Sequence, residues 1–209
     1  MLVNKKIMMG MLAAVFLGGS SIAHAVEQGD WLLRFGVTMV SPDASSSGVV
    51  ADDAVDVDDG TSVSVDFTYM MRENIGIEVL AAYPFSHDIT LNGTKIADTD
   101  QLPPTVSVQY HFQPKSNVRP YAGIGLNYTT FFSESITTEG TNAGLTSLSL
   151  DDSFGLALQA GLDFSLTDKW YLNLVLRYIN IKTTAKTNVG DINVDINPWV
   201  YTLGVGTSF

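Results

Sequence analysis

The sequence contains no cysteine and few basic residues, with 11 Lys and Arg against 22 Asp and Glu in 209 residues. Without cysteine the chain has no disulfide, no thiolate metal site and no cysteine nucleophile. The formal net charge of −11 argues against a nucleic-acid partner, because phosphate binding needs a concentrated basic face. Charged residues make up only 16% and apolar residues 45%, which excludes a disordered chain.

Long apolar runs are also absent, except at the N-terminus. Lys5 and Lys6 precede an apolar stretch over residues 7–17, and residues 23–25 read Ala-His-Ala, with small residues where signal peptidase requires them. The stretch is shorter than the roughly 20 residues of a transmembrane helix. The sequence therefore predicts a cleaved secretory signal peptide over residues 1–25 and a mature chain over residues 26–209. An uncleaved N-terminal anchor is the alternative.

Polar and apolar residues alternate through most of the mature chain. Successive side chains of a β-strand point to opposite faces, so alternation indicates a strand between two different environments. Over residues 61–72, Val63, Val65 and Phe67 share one face, whereas Ser64 and Asp66 lie on the other. The same period occurs in residues 31–39, 75–85, 102–112, 122–132, 154–166, 170–178 and 199–209. These eight segments predict an all-β fold of eight antiparallel strands.

Two architectures use eight such strands. A soluble sandwich or lipocalin-like barrel puts the apolar face inside, and an outer-membrane barrel turns it toward lipid. The other face here combines many glycines with charged residues, which suits a polar lumen better than a hydrophobic core. Aromatic residues lie near strand ends, as interfacial girdles require. These features favour an eight-stranded antiparallel transmembrane β-barrel in the bacterial outer membrane.

The connections between the strands alternate in length. Residues 41–60, 87–100, 133–152 and 182–193 form long connections, and residues 73–74, 113–119 and 167–169 form short ones. Outer-membrane barrels have short periplasmic turns and long extracellular loops, so both termini are expected in the periplasm. The chain ends in Phe209 on the apolar face, the terminal aromatic expected of barrels that the barrel-assembly machinery inserts.

The first long loop is strongly acidic. Its spacing misses that of an EF-hand calcium loop, and no glutamate stands at the required later position. We therefore interpret it as a solvated acidic loop that shares divalent cations with lipopolysaccharide, and we predict no resident metal or cofactor. The acidic residues of this loop are Asp43, Asp52, Asp53, Asp56, Asp58 and Asp59.

The predicted lumen holds charges of both signs. Eight strands enclose a space that their own side chains nearly fill. Desolvated charges in so narrow a lumen need partners of opposite sign, so we expect ion pairs that plug the barrel. The inward residues are three cations, Arg34, Arg72 and Arg177, and three anions, Asp66, Glu78 and Asp163.

Three prolines flank the second long loop: Pro84 in the third strand, and Pro103 and Pro104 in the fourth. Proline donates no hydrogen bond and normally avoids the interior of a sheet. We predict that these residues weaken the ladder between the two strands and leave a lateral gap for an apolar molecule. A frayed strand end is the alternative.

Five segments resemble the OmpW/AlkL family of outer-membrane proteins: residues 66–70 (DFTYM), 74–85 (NIGIEVLAAYPF), 102–105 (LPPT), 119–132 (RPYAGIGLNYTTFF) and 195–199 (DINPW). The resemblance covers essentially all of the mature chain. It implies a narrow, partly hydrophobic channel for small apolar molecules, which leave sideways into the outer membrane. In the family, an inward apolar side chain on the third strand and an aromatic on the seventh close the channel floor. Leu80 matches the first position, whereas Arg177 stands at the second.

Two functions follow as hypotheses. The barrel either admits a small apolar ligand passively, with lateral exit, or acts as a structural or receptor-type barrel through its acidic extracellular loops. Catalysis is disfavoured because the mature chain has only His87 and His111 as histidines. Ser86 and Asp88 adjoin His87, but neighbouring residues on a strand face opposite ways and cannot form a triad with it.

Overall fold

The computed structural model describes residues 26–209, so the predicted signal peptide over residues 1–25 lies outside the described residues. The strands are β1 (Trp31–Ser41), β2 (Ser45–Gly48), β3 (Val55–Val57), β4 (Gly60–Arg72), β5 (Ile75–Ala82), β6 (Phe85–Leu91), β7 (Thr94–Leu102), β8 (Thr105–His111), β9 (Val118–Ile136), β10 (Leu148–Leu150), β11 (Ser153–Ser165), β12 (Trp170–Ile179), β13 (Lys182–Thr187), β14 (Gly190–Asp195) and β15 (Trp199–Ser208). A short helix, α1, spans Thr138–Asn142. Within residues 26–209, no helix is long and apolar enough to cross a membrane.

Eight of these strands form a closed antiparallel barrel in the order β1-β4-β5-β8-β9-β11-β12-β15. The last strand returns to the first, with Phe35 opposite Val205, and closes the ladder. Closure pairs the backbone groups that a free sheet edge would expose to lipid. The predicted eight-stranded antiparallel barrel is confirmed.

The apolar face of the barrel points outward. Phe35 is 50% exposed and Val63 59% exposed, while the neighbouring Arg34 on the inner face is 1% exposed. Such an inverted distribution is stable only when the surroundings are apolar, because exposed apolar area in water is costly. The structure therefore agrees with the membrane barrel and not with the soluble alternative.

The two ends of the barrel differ. At one end, short turns join β4 to β5, β8 to β9 and β11 to β12, as predicted. At the other end, the long connections contain strands, whereas the sequence predicts loops there. Strands β3, β6 and β7 extend the barrel wall beside β9, and β10, β13, β14 and β2 form a separate four-stranded sheet. The longer ones bury alternate side chains, as in β7, where residues 97, 99 and 101 are buried.

The hairpin of β6 and β7 illustrates this difference. Asn92 and Gly93 both have positive φ, 49° and 80°, and form its two-residue turn. The alternation over residues 75–85 predicts that Phe85 shares the lipid-facing side with Tyr83, but Phe85 is buried at 1% exposure. The prediction failed because the strand breaks at Pro84, and pairing resumes in β6 with the opposite face inward.

Candidate functional site

The interior of the barrel is divided into a polar half near the short turns and an apolar half near the long connections. We call the polar half the plug and the apolar half the chamber. Leu80 marks the boundary, since it points inward and pairs with Asp66 across β4 and β5.

Arg177 forms the centre of the plug. Its Nη2 lies 2.8 Å from Asp66 Oδ1 and 3.3 Å from Glu78 Oε2, and all three side chains are buried. Its Nε donates to Gln159 Oε1 over 3.0 Å, and Gln159 Nε2 in turn donates to Glu78 Oε1 over 3.0 Å. Gln109 also donates to Glu78. One cation is therefore shared by two carboxylates across the lumen, and the side chains leave no open conduit at this level.

A second ion pair lies closer to the short turns. Arg34 Nη2 is 3.0 Å from Asp163 Oδ2, and Asn173 Nδ2 donates to Asp163 Oδ1 over 2.7 Å. The rings of Tyr121 and Tyr171 flank the guanidinium, with centroids 4.9 and 5.7 Å from its Cζ. Aromatic faces attract a desolvated cation, so this layer is held by both ion pairing and cation–π contact.

The prediction that Arg72 is an inward cation was wrong. Arg72 is exposed at the end of β4, where a register shift follows Met70. Arg119 on β9 takes the place of the third interior cation: its Nη1 donates to Ser165 Oγ over 2.9 Å. Its guanidinium also lies 4.8 Å from the Tyr171 ring centroid. The inward positions of β9 continue from residue 123 through 121 to 119, so residue 119 belongs to the strand and not to the predicted short connection over residues 113–119.

Two glycines make room for the tyrosines of the plug. A Cβ at Gly161 would overlap the Tyr121 ring, and a Cβ at Gly206 would overlap the Tyr171 ring. Both glycines lie on barrel strands, opposite the ring that they accommodate. The inward glycines that argued for a lumen therefore serve here to pack large side chains inside it.

The chamber contains two small cavities. The lower one, of about 20 Å³, is bounded by Leu80, Phe85 and Pro103 among others. The upper one, of about 60 Å³, lies between the barrel-wall extension and the four-stranded sheet, with Ile89, Phe131 and further apolar side chains around it. Buried apolar residues of both flanking sheets form one cluster around this space. The chamber thus offers an apolar environment immediately above a charged floor.

The three prolines lie where the ladder between the third and fourth barrel strands is interrupted. Pairing of β5 with β8 ends at Leu80 and Thr105, and pairing of β6 with β7 begins at Phe85 and Gln101. The residues between these pairs have no ladder partner across this line among the described residues, and we call this stretch the seam. It consists of residues 81–84 on one side and residues 102–104 on the other, and includes Pro84, Pro103 and Pro104.

Each side of the seam is held by its other neighbour. The Tyr83 amide donates to the Val63 carbonyl over 2.9 Å on β4. On the opposite side, Asn127 Nδ2 donates to the carbonyl oxygens of Pro103 and Pro104 over 3.1 and 3.2 Å. The two edges are therefore fixed separately, and the lower cavity lies behind them.

His87 lies in the chamber wall and takes part in no catalytic triad. Its Nδ1 is 2.7 Å from the Asp58 carbonyl oxygen, while the Ser86 hydroxyl donates to Asp100 instead. Burial lowers the pKa of His87 below its usual value, and the hydrogen bond to the Asp58 carbonyl and the nearby acidic residues only partly oppose this shift. In the part of the chain that the structure describes, no three acidic or imidazole groups are placed to share a metal ion.

Comparison with known proteins places this geometry in context. The model of the OmpW family matches residues 27–209. Outer membrane protein W of Vibrio cholerae is 43% identical over 210 residues, which cover 95% of this chain and 97% of that protein. Outer membrane protein AlkL of Ectopseudomonas oleovorans is 26% identical, covering 98% and 97%. The crystal structure of OprG from Pseudomonas aeruginosa has a TM-score of 0.83 at 36% identity, covering 90% of this chain and 99% of that one.

Proposed function

The chain belongs to the OmpW family of bacterial outer-membrane proteins, and we propose that it passively admits small apolar molecules through its chamber. The observation that carries the proposal is the apolar chamber that ends at a charged floor beside an interrupted seam. An apolar molecule gains free energy on entering the chamber, because it leaves water for an apolar lining. It gains nothing by continuing into the plug, where the ion pairs would have to be broken.

The exit that we propose is lateral, through the seam into the outer membrane. Opening the seam between strands three and four breaks no ladder pair, since residues 81–84 and residues 102–104 do not pair with each other. A breach elsewhere in the barrel would break paired backbone groups, and lipid offers no replacement for those hydrogen bonds. Leu80 and Arg177 would then form the floor on which the molecule rests.

The proposal also includes the orientation of the barrel in the outer membrane and its partners there. Short turns and both termini would face the periplasm, and the long connections, with their acidic residues, would face the lipopolysaccharide. Phe209 continues the closing ladder, since its amide donates to the Trp31 carbonyl over 3.0 Å. We expect its aromatic ring to be the signal for the barrel-assembly machinery.

A structural or receptor role is the second candidate. The plug favours it, because the paired side chains block passage along the barrel axis. In that case the long connections would bind a partner and the chamber would merely stabilise them. The two candidates differ in whether the barrel changes the rate of uptake.

The experiment compares uptake of n-octane by cells with and without the barrel, with inner-membrane consumption matched. The test variant combines Pro84→Val with Pro104→Val, which supplies two of the three missing amide donors of the seam. Its control is Pro120→Val, because Pro120 lies in β9 near the short turns and its carbonyl accepts from the Phe112 amide. Heat-modifiable gel mobility verifies that each variant is folded.

We expect the wild type and Pro120→Val to speed uptake equally and the seam variant to slow it. If the folded seam variant matches the wild type, lateral exit is wrong. If the folded wild-type barrel gives no faster uptake than cells without it, the transport proposal fails and the structural role stands.

A further inference from the structure

Two of the buried polar side chains in the wall of the upper cavity define where the polar group of a ligand would lie. The first is His87, which is 3% exposed. A carbonyl oxygen only accepts hydrogen bonds, so the contact of Nδ1 with the Asp58 carbonyl places the ring proton on Nδ1. Nε2 of the neutral ring is then an acceptor, and it is buried without a hydrogen-bond partner among the described residues.

The second is Gln101 on β7. Its side chain is 2% exposed. Gln101 lines both the upper and the lower cavity, so it lies where the two meet. Its ladder partners are Phe85 on β6 and Phe131 on β9, both apolar.

Other polar side chains of the same wall are satisfied by the protein itself. The Thr183 hydroxyl donates to the Asp151 carbonyl over 2.6 Å, and the Thr187 hydroxyl donates to the Gly190 carbonyl over 2.7 Å. Buried polar groups are normally paired in this way, because an unpaired one costs free energy. The unpaired Nε2 of His87 is therefore an exception that needs an explanation.

The backbone makes specific room for the imidazole. A Cβ at Gly60 would lie 2.5 Å from His87 Cε1, so only glycine permits the observed ring position. The ring also stacks on Phe85, with centroids 6.4 Å apart. The orientation that leaves Nε2 unpaired is thus fixed from two sides.

We infer that the upper cavity binds small neutral amphiphiles, whose hydroxyl or N–H group donates to His87 Nε2 and contacts the Gln101 amide. The apolar body of the ligand packs against Ile89 and Phe131. A buried water needs about 10–15 Å³, so a cavity of about 60 Å³ has the volume of roughly four to six water-sized groups. This inference rests on the proposed function and adds a preference, among small apolar molecules, for those that carry one polar end.

The test uses phenol and toluene, which differ only by a hydroxyl in place of a methyl group. Dissociation constants, referred to the free aqueous concentration, are measured by NMR on the full barrel in phospholipid nanodiscs. The test variant combines His87→Phe with Gln101→Met, which keeps an aromatic ring and an unbranched chain at these positions and removes both polar groups. Thr183→Val is the matched control, since it removes a hydroxyl of the same wall that is already paired.

We expect the test variant to lose affinity for phenol relative to toluene by about tenfold, the value of one hydrogen bond to a group otherwise left unpaired. Thr183→Val should change the two affinities by the same factor. In the wild type, phenol should also shift the ¹⁵N resonance of His87 Nε2, while toluene should not, a measurement that does not depend on how the variant folds.

The other outcomes distinguish a failure of this inference from a failure of the proposed transport function. If both compounds bind and the variant leaves their ratio unchanged, polar recognition is refuted while a purely apolar transport site stands. If neither compound binds the folded wild-type barrel, both the inference and the chamber route fail. A phenol titration that leaves the Nε2 resonance unmoved would overturn the assignment to His87.

Discussion

Replacing Arg177 by methionine tests whether the plug stabilises the barrel. Methionine keeps much of the length and apolar stem of the arginine and removes its charge. Asp66 has no other hydrogen bond to its carboxylate among the described residues, and its Oδ2 is already unpaired. Glu78 keeps its bonds from Gln109 and Gln159. The main consequence of the substitution is therefore one buried carboxylate, that of Asp66, with no partner.

The magnitude follows from the burial of these groups. Removing one partner of a buried ion pair costs about 3–5 kcal/mol, because the remaining charge stays desolvated. An exposed pair contributes far less, about 0–1 kcal/mol, since water and salt screen it. Lys182 and Asp195 form such an exposed pair over 2.6 Å, so Lys182→Met is a control with the same change of charge.

The assay is urea unfolding in phospholipid vesicles, followed by tryptophan fluorescence and gel mobility. We expect Arg177→Met to lower the free energy of unfolding by about 3–5 kcal/mol and Lys182→Met by no more than about 1 kcal/mol. Adding Asp66→Asn and Glu78→Gln to Arg177→Met should recover most of the loss, because no unpaired charge is left. An Arg177→Met barrel within about 1 kcal/mol of the wild type would refute the reasoning, as would a triple variant no more stable than the single one.

Two further predictions concern packing and pH. Gly161→Ala should destabilise the barrel by about 1–3 kcal/mol, because the new methyl group meets the Tyr121 ring. Adding Tyr121→Leu to Gly161→Ala should restore part of the lost stability. Urea unfolding measures both variants, and no loss of stability in Gly161→Ala would contradict the prediction. For His87, burial lowers the pKa in the folded state, so the opened state takes up a proton first. The contribution of neutral His87 to the stability of the long-loop end should therefore be fully present above about pH 6.5. It should decline as the pH falls from there toward the lowered pKa of His87 in the folded state. Hydrogen exchange of the β6 amides, corrected for intrinsic exchange rates, measures this decline in stability. The decline should be absent in His87→Phe. An equal decline in the wild type and in His87→Phe would mean that another titratable group causes it.

The interior charges show how far a sequence pattern reaches. Alternation places Arg34, Asp66 and Arg177 on the inner face, because side-chain direction along a strand depends only on position within that strand. Which carboxylate meets which arginine depends on strands far apart in the chain. Arg177 contacts Asp66 across 111 positions of sequence, a distance that no local period can specify.

Strand ends are where the pattern failed. Arg72 and Arg119 exchange roles relative to the prediction, because one lies beyond the last inward position of β4 and the other within β9. Phe85 turns inward because the break at Pro84 starts a new pairing. In both cases the boundary of a strand was set by its partners and not by its own residues.

The sequence by itself determined the class of the fold, its eight barrel strands and the family to which it belongs, because polarity alternation and motif order are local properties of one chain. Only the tertiary structure decided the partners within the plug, the strands that replace the predicted long loops and the chamber that they enclose. The chamber walls come from β6 and β7 on one side and from β13 and β14 on the other. The side chains of those walls become buried only when the barrel brings the two sheets together. The short segments that form the walls therefore show little strand pattern in their own sequence.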